Sequence, residues 1–245
     1  MQTFHDLMDL MPQHAEIGEQ QSDGYRPVQL TLNNTIIHCQ YYAAKTDAAK
    51  TDAAKIDSAD EAVEKTTQGV IWVGGVGGGW DSPAQQLYPR LAQILLRSGI
   101  ASLRVRYRQP TQLDLSVMDV LVGIRFLQDQ GVEAIALVGH SFGGAVVIQA
   151  AAATLAVKTV VALAPQSYGT EAVPELASRC SLLLLHGTAD PVLSPACSKQ
   201  IYQHALEPKQ LILYPDAGHG LDEVADEVES VVQHWLIEQL NQNIE

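Results

Sequence analysis

Cysteine, positive charge and long apolar runs are all scarce in this chain, and each scarcity excludes something. Cys39, Cys180 and Cys197 are its three cysteines. They form neither an even disulfide set nor a metal-ligand spacing, so no disulfide framework and no metal site is expected. Cys197 near a helix start reads as a packed thiol. Only 15 Lys and Arg stand against 28 Asp and Glu, a formal charge of −13. A surface of that sign offers no footing for nucleic acid or an anionic membrane. No stretch reaches the about eighteen apolar residues that a membrane span requires. The first ten residues carry Asp6 and Asp9 where a secretory signal would carry bases and then an apolar run. These absences predict a cytoplasmic protein that needs no cofactor.

What is present suits one globular domain. At 245 residues and 47% hydrophobic content, the chain can bury a large core. Runs that read as strands alternate with runs that read as helices, the pattern of a mostly parallel sheet with helices on both faces. Residues 27–32 and 35–42 read as an antiparallel pair turning at Asn33-Asn34, preceded by an N-terminal extension over 1–24. Residues 70–73, 101–108, 135–138, 159–163, 182–185 and 210–214 read as further strands, about eight in all. Ser82-Pro83 starts a helix whose apolar positions are Leu87, Leu91, Ile94 and Leu95. Helices are also expected over 116–130 and 222–240, the second with Val224, Val228, Val231 and Trp235 on its apolar stripe. Arg104, Arg106 and Arg108 alternate along one strand, which reads as a partly solvated sheet face. Residues 43–57 repeat a pentad, Ala-Ala-Lys-Thr-Asp twice and then Ala-Ala-Lys-Ile-Asp. With almost nothing large to bury, the stretch 43–68 reads as a low-complexity insert before the third strand.

Gly139-His140-Ser141-Phe142-Gly143 carries the chemistry. It fits G-x-S-x-G and stands between a short apolar strand and an apolar helix, the strand–turn–helix context in which that pattern presents a nucleophile. Downstream, Leu182-Leu183-Leu184-Leu185 reads as a strand buried on both faces, and His186-Gly187-Thr188-Ala189-Asp190 places Asp190 just beyond its carboxyl end. The next strand leads into Ala217-Gly218-His219-Gly220, a loop histidine between glycines. Serine, acid and histidine thus come in the chain order that a Ser-Asp-His triad of this geometry takes. The loop Gly74-Gly75-Val76-Gly77-Gly78-Gly79-Trp80 after the strand 70–73 lacks the Lys-Ser/Thr of a phosphate cradle, and Trp80 stands where a dinucleotide fingerprint needs its third glycine.

Through the elbow and these two downstream motifs, residues 68–240 resemble an α/β-hydrolase, most similar to the small lidless serine hydrolases of the dienelactone-hydrolase-like kind. The resemblance implies an α/β-hydrolase fold, with Ser141 as nucleophile, His219 as base and Asp190 as the acid that orients it. It also implies an oxyanion hole made by the N–H of Phe142 and by one N–H of the glycine loop, from Gly75, Val76 or Gly77, with Val76 taken as the donor. Dienelactone hydrolase itself resembles this chain but carries cysteine where Ser141 stands, which favours a serine esterase. Trp80, Arg108, Tyr168 and Leu221 are taken as pocket residues from their place in the loops. The expected partner is a small ester or thioester, acted on by a monomer or homodimer. An acyltransferase or perhydrolase with the same triad, and a silent hydrolase fold kept for binding, remain the other readings.

Because a solvated loop buries little and closure entropy depends weakly on length, deleting residues 43–57 should leave the melting temperature and turnover nearly unchanged. A thermal melt of the deletion variant checks this, and a loss of several kcal/mol would mean that the pentads pack on the domain.

Overall fold

The computed structural model describes residues 14–43 and 66–242. The pentads beyond Ala43 and the first 13 residues lie outside that range. Nine strands form one sheet in the order β1-β2-β3-β5-β4-β6-β7-β8-β9. β1 (His14–Ile17), β2 (Arg26–Leu32) and β3 (Thr35–Tyr42) are antiparallel to their neighbours. β4 (Gln68–Val73), β5 (Ile100–Arg106), β6 (Ala134–His140), β7 (Val157–Leu163), β8 (Ser181–Gly187) and β9 (Lys209–Tyr214) are parallel to one another. The ninth strand comes from the N-terminal extension, where His14–Ile17 pairs with Val28–Thr31. Its burial is low, so the tie is mainly backbone pairing on an edge, a signal that hydrophobic periodicity does not carry.

The β2–β3 hairpin turns where expected. Asn33 and Asn34 both have positive φ, 48° and 60°, the backbone of the two-residue turn that asparagine tolerates and that matches strand twist. β4, β6 and β8 are buried along their whole length, as strands covered by helices on both faces must be.

Two helices, α1 (Pro83–Leu96) and α5 (Ala225–Asn241), cover one face. On the other face lie α2 (Leu113–Asp129), α3 (Phe142–Ala152) and α4 (Ala196–His204). The stripe of α5 that is wholly buried is Val228, Val232, Leu236 and Leu240, while Val224, Val231 and Trp235 are only partly covered. The expected stripe was therefore rotated. Trp235 instead packs at the edge of the core and donates its indole N–H to Thr159 Oγ1 at 2.8 Å.

α1 departs from expectation at its start. Ala84, Gln85 and Gln86 are in the left-handed region, with φ of 48°, 52° and 64°, and the right-handed helix begins only after them. Ser82 Oγ accepts from Tyr88 N–H at 2.9 Å, across this turn, rather than from the residues of an ordinary first turn. Partners distant in sequence hold the turn: Ala84 N–H donates to Gly220 O at 2.7 Å and Gln85 N–H to Asp222 Oδ1 at 2.8 Å.

The arginines of β5 do not form a solvated face. Arg104 is only 6% exposed, and its guanidinium donates to Gln40 Oε1 at 2.9 Å and to Trp80 O at 2.7 Å. Arg108, just past the strand, donates through Nε to Asp119 Oδ1 at 2.6 Å and through its backbone N–H to Oδ2 at 2.8 Å. Asp119 sits on α2 and is fully buried. Among these three, Arg106 alone is exposed. Each buried cation is therefore matched by an acceptor, as burial demands.

Removing one partner of a buried ion pair leaves the other charged and unsatisfied. Asp119→Ala should therefore destabilise the domain by about 3–5 kcal/mol, read as a lowered urea midpoint, even though the residue lies outside the elbow and the Asp190 and His219 loops.

Candidate active site

The carboxyl ends of the parallel strands gather every motif singled out in the sequence. β6 ends at His140, Ser141 follows with φ 57° and ψ −118°, and α3 starts at Phe142. Such a backbone is costly for a residue with a side chain, and it persists where the surroundings over-determine it. Here they do, because strand and helix close upon each other: a Cβ on Gly139 would lie 2.2 Å from Gly143 O, and one on Gly143 would lie 2.4 Å from Gly74 O. Ser141 N–H donates to Leu163 O at 2.8 Å, and its carbonyl accepts from Gly144 and Gln166 N–H, at 3.0 and 3.3 Å.

The second contact brings the glycine loop to the elbow. Gly75 faces the serine so closely that a Cβ there would sit 3.3 Å from Ser141 Cβ and 3.7 Å from Oγ. Val76 follows with its side chain more than half exposed. Phe142 opens α3, so its N–H is one of the first-turn donors with no partner inside the helix.

Asp190 and His219 meet. His219 Nδ1–H donates to Asp190 Oδ2 at 2.7 Å, and the carboxylate side chain is fully buried. Asp190 Oδ1 accepts from the N–H of Val192 at 2.7 Å and of Leu193 at 2.9 Å. Burial works to raise the pKa of this carboxyl, but the His219 ring N–H and the N–H groups of Leu193 and Val192 outweigh it and hold Asp190 below the usual carboxylate range. The loops that carry the pair are laced together, since Thr188 N–H donates to Tyr214 O at 2.8 Å and Ala189 N–H to Ala217 O at 3.0 Å. The other acids of the His219 loop are differently engaged. Asp216 is exposed, and Asp222 accepts from Gln85.

Three further residues, His140, His186 and Asp81, belong to this cluster. His140, the variable residue of the elbow, is buried and donates through Nε2 to His219 O at 3.0 Å. Its ring lies 4.7 Å from that of His219, and its Nδ1 faces Asp81 Oδ2 at 3.9 Å. Burial lowers its pKa, so it favours the neutral form. His186 lies on the far side of Asp190, with Nε2 3.2 Å from Oδ2. Both histidines stood inside quoted motifs at the ends of apolar strands, where a buried imidazole needs partners; that was the available signal for them. Asp81 carried none.

The four residues taken for the pocket divide. Tyr168 is 76% exposed on the loop after β7, which Gln166 ties to Ser141. Trp80 is partly buried beneath Arg104, whose guanidinium carbon stands 5.6 Å from the ring centre. The other two are corrected by their surroundings. Leu221 is fully buried, packed in the cluster of Tyr214, Ala217, Ala225 and Val228, so it lines no open site. Arg108 is committed to Asp119 and Thr35 and borders a separate groove of about 760 Å³ with Asn33, Asn34 and His38. Among the described residues, no cluster of three or more His, Cys, Asp or Glu is arranged to hold a metal ion. No helix among them is long and apolar enough to cross a membrane.

Known proteins resemble both the sequence and the fold. Over 76 residues, 31% of this chain, the sequence is 37% identical to the uncharacterized protein YfhR of Escherichia coli K12, and the match spans only 26% of that protein. Est1E from Butyrivibrio proteoclasticus superimposes with a TM-score of 0.68 at 15% identity, over 88% of this chain and 99% of Est1E. A dienelactone hydrolase from Anabaena variabilis gives 0.70 at 18% identity, over 88% and 98% of the two chains. The esterase domain of a Rhodothermus marinus protein gives 0.64 at 16%, over 93% and 99%. At such identities these likenesses establish the α/β-hydrolase fold. The sequence profile of the dienelactone hydrolase family matches residues 86–236. That stretch covers more than half of the chain and runs from the end of the left-handed turn deep into α5, taking in the elbow and both downstream motifs, so the chain belongs to the dienelactone hydrolase family.

Proposed function

We propose that this chain, a hydrolase of ester bonds within its family, cleaves small carboxylic esters or thioesters through an acyl-enzyme on Ser141. The observation that carries the reading is the 2.7 Å contact of His219 Nδ1 with the fully buried carboxylate of Asp190, with the ring of His140, the residue before the strained Ser141, 4.7 Å from that of His219. With Nδ1–H bound to Asp190, the other ring nitrogen of His219 is the one left to act as a base. It takes the proton of Ser141 Oγ as that oxygen attacks the substrate carbonyl, and Asp190 stabilises the resulting imidazolium. The N–H groups of Phe142 and Val76 receive the charge that develops on the carbonyl oxygen. His219 then gives its proton to the departing alcohol or thiol, leaving acylated Ser141. Water, deprotonated by His219, attacks the acyl carbon and restores the hydroxyl.

The loop between β7 and β8 supports a small substrate. It holds only a 3-10 turn, Val173–Leu176, with no cap domain over the elbow. With no cap contributed by this loop, the acyl group is shallowly held among the described residues, which suits short acyl chains in water.

Ser141→Ala should remove nearly all turnover, on the order of 10⁶-fold, with the circular dichroism melt preserved. Asp190→Asn should cost far more than Asp216→Asn or Asp222→Asn in kcat. Retained turnover in a folded Ser141→Ala protein would move the chemistry elsewhere.

Across a series of esters from acetyl to palmitoyl, kcat/KM should peak at the short end, with no rate jump as substrate passes its solubility limit. A maximum at long chains would require a cover over the site from elsewhere in the chain.

A further inference from the structure

Asp190 faces a second imidazole besides that of His219. The oxygen Oδ2 that receives His219 Nδ1–H at 2.7 Å also lies 3.2 Å from Nε2 of His186. His186 is in β8 and fully buried. Its Nε2 is 3.0 Å from Leu193 O, and its Nδ1 is 2.7 Å from Oγ of Ser198, itself fully buried on α4. These partners select the position of the proton. Leu193 O and Asp190 Oδ2 are both acceptors, so a bare Nε2 would face two oxygens with nothing to donate. The proton therefore sits on Nε2, and the Ser198 hydroxyl donates to Nδ1. Burial lowers the pKa of His186, which disfavours a second proton.

We infer that His186 is a positioning residue for the acid–base pair: its Nε2–H occupies one side of Asp190 Oδ2 and so fixes the lone pair that remains for His219. The inference rests on the triad reading above. A carboxylate offers about four lone-pair sites. The N–H groups of Val192 and Leu193 engage Oδ1, and at Oδ2 the His219 ring donates, while His186 Nε2–H, which donates to Leu193 O at 3.0 Å, stands against the same oxygen at 3.2 Å. Rotating the carboxylate would break bonds at both oxygens. Without His186, Oδ2 keeps its bond to His219 alone. The carboxylate then gains freedom to rock, and its negative charge concentrates on that one bond, which strengthens its hold on the imidazolium.

The other titratable groups around the pair stay in place when His186 changes. They are His140 on β6, 4.7 Å from His219 ring to ring; Asp81, 3.9 Å from His140; and Glu223, which accepts from Gly218 N–H at 3.1 Å. A shift in pH dependence would thus report on the shared oxygen.

The test is the pH dependence of kcat and KM on an acetyl ester, with active sites counted by a fluorophosphonate probe. His186→Leu should lower kcat per active site about tenfold, leave KM within about twofold, and move the acidic limb up by roughly half to one pH unit, a part of the about one to two units that a whole hydrogen bond to a charged group amounts to. His186→Gln, which keeps an N–H donor, should return the limb toward the wild-type position. An acidic limb in His186→Leu that superimposes on wild type overturns the inference. Should that variant not fold, ¹⁵N NMR of the wild-type ring from about pH 5 to 8 answers instead: a neutral Nε2–H tautomer throughout is expected, and an Nδ1–H tautomer or an imidazolium overturns it. A wild-type protein inert to esters and to the probe would remove the hydrolase reading and this inference with it. An active wild type with an unmoved limb would remove only the role given to His186.

Discussion

A carboxylate without water is the constraint on which the site depends. The Asp190 side chain is fully buried. Burying an unpaired charge costs several kcal/mol, so the surroundings must supply donors at fixed positions. They do so from three directions: its own turn through Val192 and Leu193, the loop after β9 through His219, and β8 through His186. None of these donors can drift without exposing the others to the desolvation cost. The fixed position of the His219 ring follows from the burial of Asp190.

The elbow solves a different problem by a similar route. Ser141 is held in an unfavourable backbone conformation because strand and helix approach too closely for any other path. The same close approach sets the glycine loop against Ser141, so crowding and chemistry have one cause. His140 joins the two halves, since it lies in the elbow and its ring donates to the carbonyl of His219. Ser141 and His219 are thereby linked through a residue that the G-x-S-x-G pattern leaves unspecified.

What the sequence reveals and what it hides divide along locality. The Asn33-Asn34 turn, the buried leucines of β8, the elbow and the Asp190 and His219 loops are specified by short stretches with their own backbone or burial logic, and each was legible. The family match and the shared fold agree with that reading at the level of the domain. Residues whose state depends on distant partners were not legible. Arg104 looked solvated because alternation alone cannot see Gln40 and the Trp80 carbonyl. Leu221 looked like a pocket residue because it follows His219 closely, yet its left-handed backbone turns it into the core. Arg108 was displaced from the site by a buried acid on α2. The edge strand His14–Ile17 has too little buried surface to announce itself.

The left-handed turn at Ala84–Gln86 has a consequence for how the domain opens. Left-handed backbone costs roughly 1–2 kcal/mol per residue with a side chain, so this turn persists only while Gly220 and Asp222 hold it. Those residues directly follow His219 in the chain. The beginning of α1 and the His219 loop are therefore one cooperative unit, although Gln85 and Asp222 are 137 positions apart. When either lets go, the strain in the turn favours release of the other. Backbone amides on both segments would then share a single opening event in hydrogen exchange, and a loop transplanted from a relative without its matching helix start would arrive with half of its support missing.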